Sequence, residues 1–179
     1  MKRKIGIIIG STSDLAQCAQ GLKFLTEAVQ RKAVEVMWVK AMSIHRNTDE
    51  VLRVLRILNA LPVDIQPDAL IIGAGWANHL TGTADAYLRY TLHNTKIVVV
   101  GVAFEDPREP KHTEAARLSI TEVPGTQVVF NDLVGPEGFE AACRFVVAGK
   151  LPTIILKEPK PPREFSLEEA FLRLAIDKQ

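Results

Sequence analysis

Charge of one sign, cysteine and long apolar runs are all scarce in this chain of 179 residues. Its 22 basic and 21 acidic residues leave a formal charge of +1. Proteins that hold nucleic acid non-specifically neutralise phosphates with a surplus of lysine and arginine, and neither a surplus nor a basic arm is present. No nucleic-acid partner is expected. No stretch approaches the ~18 apolar residues that cross a bilayer, so no membrane partner is expected either. The apolar run after Lys4 is too short, and too broken by glycine, for a signal peptide. The expected location is therefore cytoplasmic. The two cysteines, Cys18 and Cys143, fall inside predicted helices without metal-ligand spacing, and read as reduced, buried, small apolar residues. No close His/Asp/Glu ligand set is visible, so no metal is expected. Internal repeats are also lacking.

What is present is an apolar fraction of 47%, enough for the core of one domain of this length. Residues 1–157 read as that domain, and residues 158–179 as a proline-rich linker with a terminal helix. Ile5 to Ile9 form an almost unbroken apolar run, which suits a strand covered on both faces. A helix follows from about Ser13 to Val29, with Ser13 or Asp14 as its expected cap. Val34–Val39 alternates with Glu35 and reads as a strand near the sheet edge. Asp49–Leu61 reads as a second helix capped by Thr48 and closed by Pro62. Asp68–Ile72 is a third strand, Thr83–Leu92 a helix, and Lys96–Val102 a fourth strand rich in β-branched residues. Glu105 to His112 is a charged, proline-broken loop that could serve as a lid. Gln127–Phe130 is a weaker fifth strand, Glu137–Ala148 a helix, and Leu151–Leu156 a further extended piece. This alternation predicts an α/β, doubly wound, mostly parallel five-stranded sheet of flavodoxin-like type, with helices on both faces. Beyond Pro159, Pro161 and Pro162, Ser166-Leu167-Glu168-Glu169 has the form of a capping box. It opens a short helix with Leu167, Ala170, Phe171, Leu174 and Ala175 apolar. Such a helix is marginal alone and is expected to dock on the core or on a neighbouring subunit.

Ligands of open α/β sheets lie outside the carboxyl ends of the strands. Three unusual turns fall at those ends. Gly10-Ser11-Thr12-Ser13-Asp14 brings hydroxyls and N–H groups to a helix start, a place suited to anions. Ser43-Ile44-His45-Arg46 adds a hydroxyl, an imidazole and a guanidinium. Gly73-Ala74-Gly75-Trp76-Ala77-Asn78-His79-Leu80-Thr81-Gly82 adds a glycine-rich backbone and a second imidazole. Serine hydroxyls, N–H groups and an arginine can all donate to a phosphate. Asp14 would repel one, so a sugar hydroxyl is its better partner. His45 or His79 can move a proton near neutral pH. His93 and His112 lack this context and read as surface residues.

These three turns, in this order and spacing, resemble the signatures of the PurE family, which comprises N5-carboxyaminoimidazole ribonucleotide mutase and the related aminoimidazole ribonucleotide carboxylase of purine biosynthesis. The resemblance runs from about Ile5 to Gly149 and includes Leu118-Ser119-Ile120-Thr121-Glu122-Val123-Pro124-Gly125. It implies a flavodoxin-like subunit, commonly assembled as an octamer, that moves a carboxylate from N5 to C4 of an aminoimidazole ribonucleotide without metal or organic cofactor. By that likeness Ser11, Ser13, Ser43 and Arg46 hold the phosphate and Asp14 the ribose hydroxyls. His45 is then the general acid and base, His79 supports the turn or the carboxylate, and Gly10, Gly73, Ala74, Gly75 and Trp76 shape the substrate pocket. The partners implied are the ribonucleotide, carbon dioxide or a carboxylate, and further copies of the chain. The chain departs from the family pattern at Trp76 and Asn78, where glycine and alanine are usual, and at Thr81, where proline is usual. Asn131-Asp132-Leu133-Val134-Gly135-Pro136-Glu137-Gly138 replaces an alanine- and asparagine-rich segment. Two readings compete with the mutase: a carboxylase using free carbon dioxide, and a nucleotide-binding relative with another substrate or no reaction. Trp76 and the 131–138 segment favour the last, and His45 beside Ser43 and Arg46 opposes it.

Overall fold

The computed structural model describes residues 2–156 and 158–176. Four strands, β1 (Arg3–Ile9), β2 (Val34–Ala41), β3 (Ala69–Ala74) and β4 (Val98–Ala103), form one sheet in the order β2-β1-β3-β4. Every pairing is parallel. The helices are α1 (Ala19–Gln30), α2 (Thr48–Ala60), α3 (His79–Ala86), α4 (Pro110–Thr121), α5 (Gly135–Ala148) and α6 (Leu167–Ile176).

The apolar runs divide by alternation between two layers. Ile5, Ile7, Ile9, Ile71, Val100 and Val102 pack with Leu25 and Ala28 of α1 and Phe139, Cys143 and Val146 of α5. Ile8, Leu70, Ile72 and Val99 face the other way, against Val51, Leu55 and Leu58 of α2 and Leu80 and Ala84 of α3. Both cysteines are free and buried in the first layer; burial pushes the Cys18 thiol up to about 12, with Asp14 adding to the shift. β2 lies at the edge, as its alternation predicts. The expected doubly wound architecture is present, with several corrections.

The sheet has four strands rather than five. The Gln127–Phe130 segment runs beside β4 but bridges it only at Val100 and Val129, and Val134 meets Ala103 further on. Val129 N donates to Val99 O at 2.9 Å and Gly101 N to Val129 O at 2.8 Å. Between these points Asp132 takes φ +60° and turns the backbone out of register. The Leu151–Leu156 piece is not a strand either. Its Ile155 exchanges two hydrogen bonds with the side-chain amide of Gln127, which takes the place of a neighbouring strand.

The helix expected from Ser13 opens as a 3-10 segment, Thr12–Cys18, capped by Ser11, whose Oγ accepts from Ser13 N. Thr48 does not cap α2; its hydroxyl donates to Ile44 O, and Asn47 holds the cap position. α3 begins at His79, four residues earlier than predicted, and its continuation Tyr87–Thr91 widens to a π-turn. The segment after Glu109 is helix α4 rather than loop, because Pro110 occupies the first helical turn, where a missing N–H costs nothing. The capping box of α6 forms as expected: Ser166 N donates to Glu169 Oε2 and Glu169 N to Ser166 Oγ. Leu167 is 90% exposed and Phe171 72% exposed, so the described part of the apolar face of α6 is uncovered within the chain. Lys157 and residues 177–179 lie outside the described residues, as do the side chains of Leu174 and Ala175. No described helix is long and apolar enough to cross a membrane.

Candidate active site

The strand order reverses direction at β1, since β2 lies on one side of it and β3 on the other. This switch point opens a crevice at the carboxyl ends of β1 and β3. The three turns meet there around a cavity of about 470 Å³, within the ~300–1,000 Å³ typical of small-ligand sites.

Each turn is fixed by its strand. Gly10 N donates to Gly73 O at 2.8 Å, and Met42 N to Ile9 O at 2.8 Å, so the exits of β1, β2 and β3 are tied together. A Cβ at Gly10 would lie 2.8 Å from Ala74 Cβ; only glycine allows β1 and β3 to end this close. From the first turn, Gly10, Ser11, Ser13 and Asp14 line the cavity. Ser11 Oγ lies 2.9 Å from Ser13 Oγ, which aligns two hydroxyls on one wall. From the second come Ser43, Ile44, His45 and Arg46. That turn is closed by Asn47 Oδ1, which accepts from Ser43 N at 3.0 Å, and by Ser43 Oγ, which accepts from His45 N at 3.2 Å. From the third come Ala74, Gly75, Trp76, Ala77, His79 and Leu80.

Gly73 is the one expected site residue not on the cavity wall. It lies in β3 beneath the turn, and a Cβ there would meet the Phe104 ring at 2.8 Å. Its part is to let β3 pass under Phe104.

His45 and His79 approach across the cavity, with Nε2 of the first 2.9 Å from Nδ1 of the second and ring planes 18° apart. A hydrogen bond at this distance needs one ring nitrogen to donate and the other to accept, so the tautomers of the two rings are coupled. His79 is held from below. Asn78, fully buried, accepts from Thr81 N at 3.1 Å and so caps α3, while its Nδ2 donates to Val102 O at 2.9 Å. Thr81 Oγ1 lies 2.9 Å from Asn78 Oδ1 and 3.0 Å from Ile72 O. The departures at Asn78 and Thr81 are thus one hydrogen-bonded unit.

Burial raises the Asp14 pKa above the usual carboxylate value, opposed by a backbone hydrogen bond at Ser11 and by the charge of Arg46. The folded protein therefore holds this proton at a pH where the unfolded chain has released it. Stability falls as pH rises from about 4 through the folded-state value, and the deficit persists at neutral pH. Asp14→Asn is expected to stabilise the protein at pH 7 and to have little effect at about pH 4. Urea denaturation at the two pH values measures the difference.

Two features of the rim escape sequence reasoning. Gln17 exchanges hydrogen bonds with the backbone of Glu105, tying the expected lid to the 3-10 segment. His112, read as a surface residue, stacks on Trp76 with centroids 4.1 Å apart and places Nδ1 2.9 Å from Asp106 Oδ2. The spacing of Asp106 and His112 across a helix start is the only signal in the sequence that could have paired them. Among the described residues no cluster of three or more His, Cys, Asp or Glu side chains has the form of a metal site.

No curated protein matches the chain. A family model described as AIR carboxylase matches residues 4–148, which covers most of the chain and all three turns. With that match, the chain belongs to the AIR carboxylase family, the PurE-type enzymes of purine biosynthesis.

Proposed function

We propose that the protein forms 4-carboxy-5-aminoimidazole ribonucleotide by moving a carboxylate from N5 to C4 of its substrate, with His45 as general acid and base. The observation that carries this reading is the 2.9 Å contact between His45 and His79 on the wall of a cavity that also holds Arg46 and three serine hydroxyls. In this reading Ser11, Ser13, Ser43 and Arg46 take the phosphate, because hydroxyls and a guanidinium all donate to its oxygens. Asp14 takes the ribose hydroxyls.

The chemistry then balances on one proton. His45 gives its proton to N5 as the N–C bond of the carbamate breaks and carbon dioxide is released. C4 attacks the carbon dioxide, and the C4 proton returns to His45. The Gly75 to His79 turn encloses the small fragment, so recombination needs no second encounter in solution. His79 holds the His45 ring and its tautomer. Assembly as a homo-oligomer belongs to the same proposal, with the exposed Leu167 and Phe171 of α6 as part of a contact surface.

An ultraviolet assay tests the reading. Purified protein is given N5-carboxyaminoimidazole ribonucleotide, or aminoimidazole ribonucleotide with bicarbonate, and the C4-carboxylated product is followed. Turnover of the first alone is expected. Turnover of the second alone makes the protein a carboxylase that uses free carbon dioxide, and turnover of neither overturns the assignment.

A further inference from the structure

Trp76 adopts φ +58°. A bulky residue in the left-handed region is an outlier, since its Cβ crowds the following carbonyl. Such strain persists only where its surroundings enforce it, and it concentrates at ligand clamps. The ring contributes little to the core: Trp76 is 65% exposed while lining the cavity. Packing therefore does not account for the strained backbone.

One face of the indole is covered. His112, from the first turn of α4, stacks on it with planes 16° apart. His112 is fixed in turn, because its Nδ1 lies 2.9 Å from Asp106 Oδ2 while Asp106 Oδ1 accepts from Arg108 N at 3.1 Å. Asp106 N donates to Thr113 Oγ1 at 2.9 Å, which anchors the loop to α4. The indole is thus a flat plate held from behind by a braced imidazole. It stands on the turn that carries His79, at the mouth of the cavity that contains Arg46 and the serine hydroxyls.

We propose that Trp76, backed by His112, is the specificity-determining residue of this site, stacking on the planar aromatic heterocycle of a ribonucleoside monophosphate whose phosphate lies among the serines and Arg46. This rests on the reading above for the position of the phosphate and adds what selects the base. Stacking recognises a π-face, so the plate favours any flat heterocycle over a bare sugar phosphate. His112 is a positioning residue: it restricts the indole before the ligand arrives, which lowers the ordering cost of binding.

The test is calorimetric binding of aminoimidazole ribonucleotide and of ribose 5-phosphate to the full chain. Both Trp76→Asn and Trp76→Gly suit a left-handed backbone, so each removes the ring without adding strain. The native protein is expected to prefer the nucleotide over ribose 5-phosphate. Either variant is expected to lose about tenfold in nucleotide affinity, the scale of one base–aromatic stack, with ribose 5-phosphate affinity changed less than about twofold. The urea midpoint is expected to stay level or rise. Parallel loss for both ligands, an unchanged preference in both variants, or no preference in the native protein overturns the proposal. The readout is binding, so it is independent of turnover. A protein that turns over neither substrate but loses its preference with Trp76 retains the stacking role without the reaction. One that turns over N5-carboxyaminoimidazole ribonucleotide, yet keeps its preference without Trp76, retains the reaction without the stacking role.

Discussion

His45→Asn is expected to lower kcat about 10²–10⁴-fold, the range that a positioned acid–base group contributes, while leaving the affinity for the ribonucleotide within about threefold. The imidazole is exposed on the cavity wall and its partner is His79. Removing it therefore opens no hole in the core, and stability should stay within about 0.5 kcal/mol of the native protein. Asparagine ends near the position of the imidazole Nδ1, short of the Nε2 that meets His79, and it cannot give and recover a proton. Loss of kcat without loss of binding identifies the proton carrier. Equal loss of both would place His45 in the substrate cradle instead. Steady-state kinetics, with calorimetric binding of aminoimidazole ribonucleotide, separates the two outcomes.

Arg89→Met is expected to cost about 3–5 kcal/mol of folding stability, a large share of the ~5–15 kcal/mol of an ordinary domain. Arg89 is among the largest fully buried side chains. Its Nε donates to Asp85 Oδ1 at 3.0 Å, and its two terminal nitrogens donate to Asn94 O and Ile97 O at 2.6 and 2.5 Å. Burial disfavours the guanidinium charge, and Asp85 opposes that effect. Methionine would leave a buried carboxylate without its cation and two carbonyls without donors. Asp85 also accepts from Gln127 N at 2.8 Å, so the segment beside β4 would loosen with it. Urea denaturation measures the loss; a cost below about 1 kcal/mol would mean that water can reach and satisfy Asp85. Combining Arg89→Met with Asp85→Leu is expected to cost less than the sum of the single changes, because no uncompensated charge remains.

The sheet core and the three turns that line the cavity were legible because their signals are local. Ile5 to Ile9 and Ala69 to Ile72 are apolar runs followed at once by glycine, and parallel topology carries each run's exit to the same edge. The edge position of β2 was legible in Glu35, and the capping box of α6 in Ser166 and Glu169. What escaped depends on distant partners. Asp85 and Arg89 look like an ordinary exposed i,i+4 pair until the chain around Ile97 and Gln127 folds over them. Gln127–Phe130 has strand composition, yet Asp132 ends its pairing almost at once. Pro110 reads locally as a breaker, although a proline in the first turn of a helix starts it. His112 gained its meaning from Trp76, 36 positions away in the chain, through a stack that no periodicity encodes.

The Asn78–Thr81 unit bears on how such a sequence can change. Proline at position 81 would have no N–H, so it needs no cap; threonine has one, and Asn78 satisfies it. The two arrangements are alternative answers to the same orphan donor at the start of α3. Crossing between them one substitution at a time passes through a buried mismatch in either order. Asn78→Ala strands Thr81 N and Val102 O, while Thr81→Pro leaves Asn78 Oδ1 without either of its donors. Each single substitution in the turn that carries His79 and Trp76 is therefore costlier than the two made together, so the two positions are coupled.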